Sequence, residues 1–355
     1  MCTIAVVGAV PRRTIEEIAK LADVSRSTVS RVLNNHRSVR PDVRARVQQI
    51  IQEQRYAPRA AARSLASRRS NALGLLIPRS AMAIFSDPFF PYVIQGITET
   101  STERGYFVML SMVMHERERD FYERVLRGHH VDGLIMLSSD IDDPILPQLI
   151  RDETPLVLIG RHPYLSEVST VDVDNREGAA QAVRHLIELG HRNIATITGP
   201  HNMAVAMDRR DGYKQALAEA GIPIRPELIV ESDFTQAGGY EAMGALLKPL
   251  PRTTTAVFVA SDPMAVGALR AIHEHGLRIP EQLAIASFDD LPLATLVNPP
   301  LTTVHQPVQQ LGSAAVDLLL NRLDASSEAP PDHVLLETHL VVRQSTIGAS
   351  ALQAR

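Results

Sequence analysis

The feature that most constrains this 355-residue chain is a rhythm of short apolar runs that starts near Ala72 and occurs twice. Leu73 to Ile77, Phe107 to Leu110, Leu134 to Leu137 and Leu156 to Ile159 form one series. After Val171 a second follows, at Ile194 to Thr198, Leu228 to Val230, Ala256 to Ala260 and Leu283 to Ser287. Helical spacing separates each run from the next, which is the pattern of parallel sheets covered on both faces. Two doubly wound lobes in succession are the economical reading. Such sheets bind ligands beyond the carboxyl ends of their strands. That directs attention to Asp87 and Phe89 in SDPFFPYVIQGI, Arg161 after the fourth run, Asp262 after AVFVAS, Arg209 just before Gly212, and Asp289 directly after Phe288. Taken singly, each has a plainer role: Asp262 and Asp289 as helix caps, Phe89 as core, Arg209 as a surface helix residue.

Ahead of the lobes the pattern is different. In TIEEIAKLADVSRSTVSRVLN, Thr14 and Glu17 form a capping-box pair, and Ile15, Ile18, Ala19 and Ala22 recur at helical spacing. Asp23 and Val24 interrupt, and Ser25 caps a second helix. Its Val29, Val32 and Leu33 face inward, while Arg26, Ser27, Ser30 and Arg31 make a basic, hydroxylic outer face. A short helix of this kind, braced across a tight turn, suits a DNA major groove, where an arginine forks onto guanine and a serine reads a base edge or phosphate. An ordinary helical hairpin with a solvated face has the same spacing. Val39 to Gln54 reads as a third helix with Pro41 in its first turn. The Ala-rich RAAARSLASRRS beyond Pro58 has only Leu65 to bury and is too short to be helical unaided. Residues 12 to 69 hold 14 Lys and Arg against 5 Asp and Glu, a balance of +9 in a chain whose net charge is −4. A basic head on an acidic body is the asymmetry expected when one end meets a polyanion.

VSRSTVSRVLN, then RYAP and ARSL, resemble the lac-repressor (LacI/GalR) family of bacterial transcription regulators. DPFFPYVIQGI, DVDNREGAAQAVRHLIELGHRNIA, RRDGYKQALAEAGI, SDPMAVGALRAIHEHGLRIP and SFDDLPLATLVNPPLTTVHQP extend the resemblance over nearly the whole chain. It implies a small all-α helix-turn-helix head and an α/β two-lobed, periplasmic-binding-protein-like body of doubly wound parallel sheets. Residues 1–11 would be a disordered leader, 12–57 the head, 58–70 a hinge helix, 71–347 the effector-binding and dimerisation domain, and 348–355 a tail. The chain would cross between lobes three times, with 72–170 and 305–333 forming the lobe near DNA and 171–304 and 334–347 the far lobe. A final strand is expected over 334–342.

The resemblance further implies a homodimer on a palindromic operator. Thr14, Arg26, Ser27, Thr28, Ser30, Arg31 and Arg63 would contact DNA, and Leu65 would wedge into the minor groove. A small effector would sit among Asp87, Phe89, Arg161, Arg209, Ser261 and Asp289, with Arg209 and Asp289 gripping vicinal hydroxyls. A sugar is favoured; purine-responsive relatives, which use a corepressor, supply the alternative. Ser261 stands where relatives often have Asn, Ser287 where they usually have Gly, and Arg40 where a serine cap is common.

Other classes lack their signatures. There is no G-x-S-x-G, GxxxxGK[ST], HExxH or G-x-G-x-x-G, so no enzyme is expected and no cofactor is called for. His129 and His130, and His273 and His275, lack partners at metal-ligand spacing. The single cysteine, Cys2, fits a reducing cytosol. The apolar start is short and its arginines follow it, the reverse of a signal peptide, and no run is long enough for a membrane span, so no membrane partner is expected. A solute receptor would share the body but have no use for residues 14–69. The tail lacks leucine heptads, so no coiled coil is expected there.

Overall fold

The computed structural model describes residues 13–33, 36–54, 56, 69–78, 81–112, 128, 130–137, 140–248, 254–324 and 329–347. The chain divides into two compact units, one through Ser70 and one from Asn71. Arg63 and Leu65, with most of the expected hinge helix, lie outside the described residues.

The first unit holds helices α1 (Ile15–Leu21), α2 (Arg26–Leu33) and α3 (Pro41–Glu53). The capping box forms: Glu17 N–H donates to Thr14 Oγ1 at 3.3 Å and Thr14 N–H to Glu17 Oε2 at 2.7 Å. Asp23, at φ 51°, turns the chain sharply enough for Ser25 Oγ to accept Thr28 N–H at 3.2 Å and start α2. Ile18, Ala19, Ala22, Val29, Val32 and Val47 form a small buried core. Among the described residues only partly buried side chains such as Ile15, Leu33, Ile50 and Tyr56 add to it, so the three helices stand or fall together.

The second unit holds two six-stranded sheets. The near sheet contains β1 (Ala72–Ile77), β2 (Phe107–Met112), β3 (Gly133–Leu137), β4 (Leu156–Ile159), β5 (Ser169–Val173) and β11 (His333–Leu336), in the order β11-β5-β4-β3-β1-β2, parallel throughout. Strand alternation divides its apolar residues between two cores. Leu73, Leu75 and Ile77 pack under α5 (Phe89–Glu103) and α12 (Val308–Asp324), while Leu76 faces α6 (Ile145–Arg151) on the other side. A short α4 (Ala81–Ser86) precedes α5.

The far sheet contains β6 (Ile194–Thr198), β7 (Ile229–Glu231), β8 (Ala256–Val259), β9 (Ala284–Asp289), β10 (Thr302–His305) and β12 (His339–Val341), in the order β12-β10-β9-β8-β6-β7. Helices α7 (Asn175–Glu188) and α8 (Ala204–Glu219) pack on the face with Ile194, Ala256 and Phe258. Helices α9 (Gln236–Leu247) and α10 (Asp262–Glu274) pack on the face with Ile197, Val257 and Val259. Each buried Leu, Ile or Phe contributes about 1.5–3 kcal/mol against an exposed reference. A last short helix, α11 (Leu293–Leu296), follows β9. Among the described residues no helix is long and apolar enough to cross a membrane.

Three expectations are corrected. The strand expected over 334–342 is two: β11 pairs parallel with β5 in the near sheet, and after Glu337 and Thr338 β12 pairs antiparallel with β10 in the far sheet. The apolar run is continuous in sequence, but its halves have partners in different lobes. For the same reason the near-lobe segment ending at 333 extends through Leu336. A lobe boundary at 170 would cut β5, whose pairing with β4 and β11 keeps it in the near sheet through Val173.

Candidate functional site

The cleft between the lobes begins with helix α8. A Cβ at Gly212 would collide with the Arg176 carbonyl oxygen, so glycine there lets α8 lie directly on α7. One turn earlier this close contact carries Arg209 into the interior, where it is 4% exposed. Its Nε donates to Asn175 Oδ1 at 2.9 Å, and its Nη1 donates to the Ala260 carbonyl at 2.6 Å and to Asp289 Oδ1 at 3.0 Å. The guanidinium also lies over the Phe288 ring, 3.7 Å from its centroid. A buried cation of this kind survives only because acceptors surround it.

Asp289 ends β9 at φ 115° and Asp290 follows at φ 55°, a left-handed step that costs of order 1–3 kcal/mol per residue and must be held by its surroundings. Asp262 supplies much of that hold. Its carboxylate accepts from Ser287 Oγ at 2.5 Å, Thr303 Oγ1 at 2.7 Å and the Leu291 N–H at 2.8 Å. Asp262 is therefore a brace, and Ser261 is the cap of α10, with its Oγ accepting Met264 N–H. Ser287 uses its hydroxyl on that brace. Burial pushes Asp262 and Asp289 upward in pKa, and at Asp289 Arg209 opposes the rise.

A cavity of about 290 Å³ opens against this group. Asp87, Phe89 and Phe90 line it from the near lobe, and Met203, Val205, Arg209, Asp233, Phe234, Ser261 and Asp289 line it from the far lobe. A smaller chamber of about 90 Å³ shares Phe89, Met203, Val205 and Arg209 and is finished by Arg161, Asp172, Asn175 and Gln306. Asp87 Oδ1 accepts Phe89 N–H at 2.9 Å at the start of α5. Burial, with the nearby Asp289 charge, lifts its pKa to about 7. Asp172 is lifted to about 7 by burial, although it accepts Val173 N–H and Asn175 Nδ2. Arg161 crosses the cleft to chelate Asp208 on α8, with Nε to Oδ2 at 2.6 Å. Its fork is thus occupied by a carboxylate of the opposite lobe.

Among the described residues lining the larger chamber, acids outnumber cations: Asp87, Asp233 and Asp289 stand against Arg209, whose Nε and Nη1 are already engaged and whose charge is paired with Asp289. No group of His, Cys, Asp or Glu among the described residues is arranged to hold a metal ion.

In the first unit the outer face of α2 presents Arg26, Ser27 and Arg31 exposed and Thr28 and Ser30 half-buried. Arg26 Nε lies 3.3 Å from Glu16 Oε1, an exposed pair of the kind that contributes little and is readily exchanged for another anion. Ser25 Oγ bridges Ser27 Oγ at 2.8 Å and Thr28 Oγ1 at 2.9 Å, which orients the hydroxyls of the first turn. Thr14 spends its hydroxyl on the α1 cap, and Arg40 pairs with Asp42 at 2.8 Å.

The six residues expected around an effector line one chamber or the other, whereas Asp262, also singled out in the sequence, lines neither. Reading strand ends did not pick out Asp172, Asn175, Met203, Phe234 or Gln306. Phe234 lies three residues beyond β7, within reach of that rule, and Asn175 and Gln306 stand in the quoted DVDN and TTVHQP phrases.

Two family models match the chain: bacterial regulatory proteins of the lacI family at residues 14–59, and the periplasmic binding protein-like domain at 183–346. The chain is 40% identical over 337 residues to the HTH-type transcriptional regulator CelR of Thermobifida fusca, covering 94% of this chain and 98% of that one. It is similar to the solved CelR–cellobiose complex, with a TM-score of 0.74 and 38% identity over 94% of this chain and 100% of that chain. It is also similar to the lac repressor dimer bound to operator and the anti-inducer ONPF, with a TM-score of 0.84 and 29% identity over 95% and 100% of the two chains.

Proposed function

This chain belongs to the lacI family of bacterial regulatory proteins, and from that premise we propose that it is a transcriptional repressor released or recruited by a neutral sugar of more than one ring. The observation that carries the sugar assignment is the cleft's charge: acids from both lobes, two aromatic walls in Phe89 and Phe234, and one guanidinium already paired with Asp289. Hydroxyls donate to such carboxylates and sugar faces stack on such rings, whereas a phosphate would face Asp87, Asp233 and Asp289 with one cation, already paired, among the described lining residues. The second chamber provides space beyond a single ring. CelR, solved with cellobiose, is a relative whose ligand fits this description.

We assign Arg26, Ser27, Ser30 and Arg31 to base edges and Thr14, Thr28 and Arg63 to the backbone of a palindromic operator, with Leu65 as a minor-groove wedge. The working unit is a homodimer. One surface for it is the β2 edge of the near sheet, last among the described strands, where Phe107 is 78% exposed beside Met109 and Leu110. The protein works in the cytoplasm as a binding protein with no reaction of its own. Effector and operator affinities change by one shared factor, because each ligand biases the same lobe arrangement.

A thermal-shift panel of neutral mono- and disaccharides, sugar phosphates and purines tests the assignment. A ligand at a hundred times its Kd stabilises by about 2.7 kcal/mol, a readily resolved shift. A disaccharide is expected to raise the Tm. Stabilisation by a sugar phosphate alone, or by a purine alone, defeats the reading, and the purine result makes the chain a corepressor-dependent regulator.

A further inference from the structure

Asp290 lies outside both cleft chambers, yet the connections between the lobes converge on it and its neighbour. Its carboxylate accepts from Arg343 Nη2 at 2.6 Å and from His305 Nδ1 at 3.0 Å, and its N–H donates to Thr303 Oγ1 at 3.3 Å. His305 is the last residue of β10, where the second crossing leaves the far sheet. In the antiparallel register it faces His339, the first residue after the third crossing, and the two rings lie 4.8 Å apart. Arg343 follows β12 and also donates Nη1 to the Leu301 carbonyl at 2.9 Å, tying the returning chain to the start of β10. Next door, Gln306 on the second crossing donates to Asp289 Oδ1 at 2.6 Å, while Asn175, just past the first crossing, reaches Asp289 through Arg209. All three hinge strands therefore end within one or two contacts of the Asp289–Asp290 step, the only two consecutive residues at positive φ among the described non-glycine positions.

We propose that Asp290 is the positioning residue of the interlobe hinge: by clamping His305 and Arg343 it holds the second and third crossings in register and keeps Asp289 turned into the cleft. What reaches Asp289 from the cleft is thereby felt at the hinge. The hinge role stands on geometry alone; only this last consequence rests on the cleft being the effector site. Such a residue acts on the angle between two bodies, which separates it from one that merely stabilises its own lobe.

The test uses the full chain without ligand, so it is independent of effector identity. In a Cys2→Ser background, Glu103→Cys on α5 and Glu188→Cys on α7 place one spin label on an exposed position of each lobe. The labelled chain is diluted with unlabelled chain so that distances within one chain dominate. Pulsed electron–electron resonance is expected to give one narrow interlobe distance in the parent and a distribution about twice as broad in Asp290→Ala, with a cooperative melt retained. Asp290→Asn, which keeps an acceptor oxygen, is expected to recover most of the narrowing. A parental distribution in Asp290→Ala overturns the proposal, including when its Tm falls, since that outcome marks a purely local stabilising role. Should Asp290→Ala fail to fold, Arg343→Met removes the clamp from the other side: broadening supports the proposal, and an unchanged distribution overturns it. Failure of the sugar panel would leave this result standing.

Discussion

The far wall of the cleft and its near wall hold their polar groups differently. On the far wall Arg209 and Asp289 are each almost fully buried, and each has two or more hydrogen-bond partners before any ligand arrives. On the near wall Phe89 is half-buried, Asp87 accepts the Phe89 N–H, and Arg161 is engaged by a residue of the opposite lobe. The far lobe thus presents a prepaid polar surface, and the near lobe a less constrained aromatic one. A ligand binding between them gains orientation from the first wall and burial from the second. Rigid polar groups lose little freedom on binding, while closure of an aromatic wall removes water from the ligand face.

The contrast predicts unequal consequences for substitution. Arg209→Met is expected to cause the largest change. It abolishes measurable sugar binding by calorimetry and, by leaving Asp289 and Asn175 without their buried partner, lowers stability by about 3–5 kcal/mol in urea unfolding. A stable, tight-binding Arg209→Met variant would remove the idea that the far wall is the organising one. Phe89→Ala comes next. It loses an aromatic face worth about 0.5–1.5 kcal/mol beyond its area, so affinity falls roughly tenfold, and calorimetry should show this with a smaller loss of stability than at Arg209. Equal stability losses at the two positions would erase the distinction between the walls.

Eight strands were legible because a parallel sheet covered on both faces leaves unbroken apolar runs, and each run from Leu73 to Leu283 stands at a β-strand; β5 and β10, with Ser169, Asp172, Thr302 and Thr303 among their residues, made no such run. The run from Val334 was not legible as two strands. Val334, Leu335 and Leu336 have the same β character as Leu340 and Val341, and only the partner strands, β5 and β10, divide them. In the cleft, Arg209 and Asp289 could be singled out by their place after strands or beside a helix glycine. Asp172 could not. An alternating aspartate in a strand reads as a solvated residue, and only the fold brings it into the chamber beside Asp208 and Arg209 of α8. Asp262 was legible as a residue of interest but not as a brace, because its three donors come from positions 287, 291 and 303.

Removing the brace separates scaffold from ligand contact on the same wall. Asp262→Asn keeps the size of the side chain but replaces one of the oxygens that accept from Ser287, Thr303 and Leu291 with an amide NH2 that cannot accept, and such hydrogen bonds are worth about 0.5–1.5 kcal/mol each. Their geometry only partly survives the change. Because Asp262 does not line the chamber, the loss is expected to appear mainly in thermal stability, with affinity reduced about threefold through slight misplacement of Asp289. An affinity loss as large as that of Arg209→Met, with stability unchanged, would make Asp262 a ligand contact instead.

The smallest expected effect distinguishes the walls by pH. Asp87 titrates near 7, against 3.8 for an ordinary aspartate, because burial and the charge of Asp289 outweigh the Phe89 N–H and Arg209. A carboxyl raised in this way holds an extra proton in the folded chain between those two values. Its contribution to stability is therefore complete below 3.8 and is lost as pH rises through about 7. A sugar hydroxyl donating to Asp87 prefers the carboxylate, so affinity moves the opposite way and rises through the same interval. Calorimetry at pH 6 and pH 8 should show affinity increasing about threefold in the parent, a change of roughly 0.7 kcal/mol. Asp87→Asn should be flat. An equal pH dependence in Asp87→Asn would shift the titration to Asp172 in the adjoining chamber, which is also raised to about 7. Asp172→Asn would then remove it, leaving the near lobe as the source of the pH response but a different strand end as its origin.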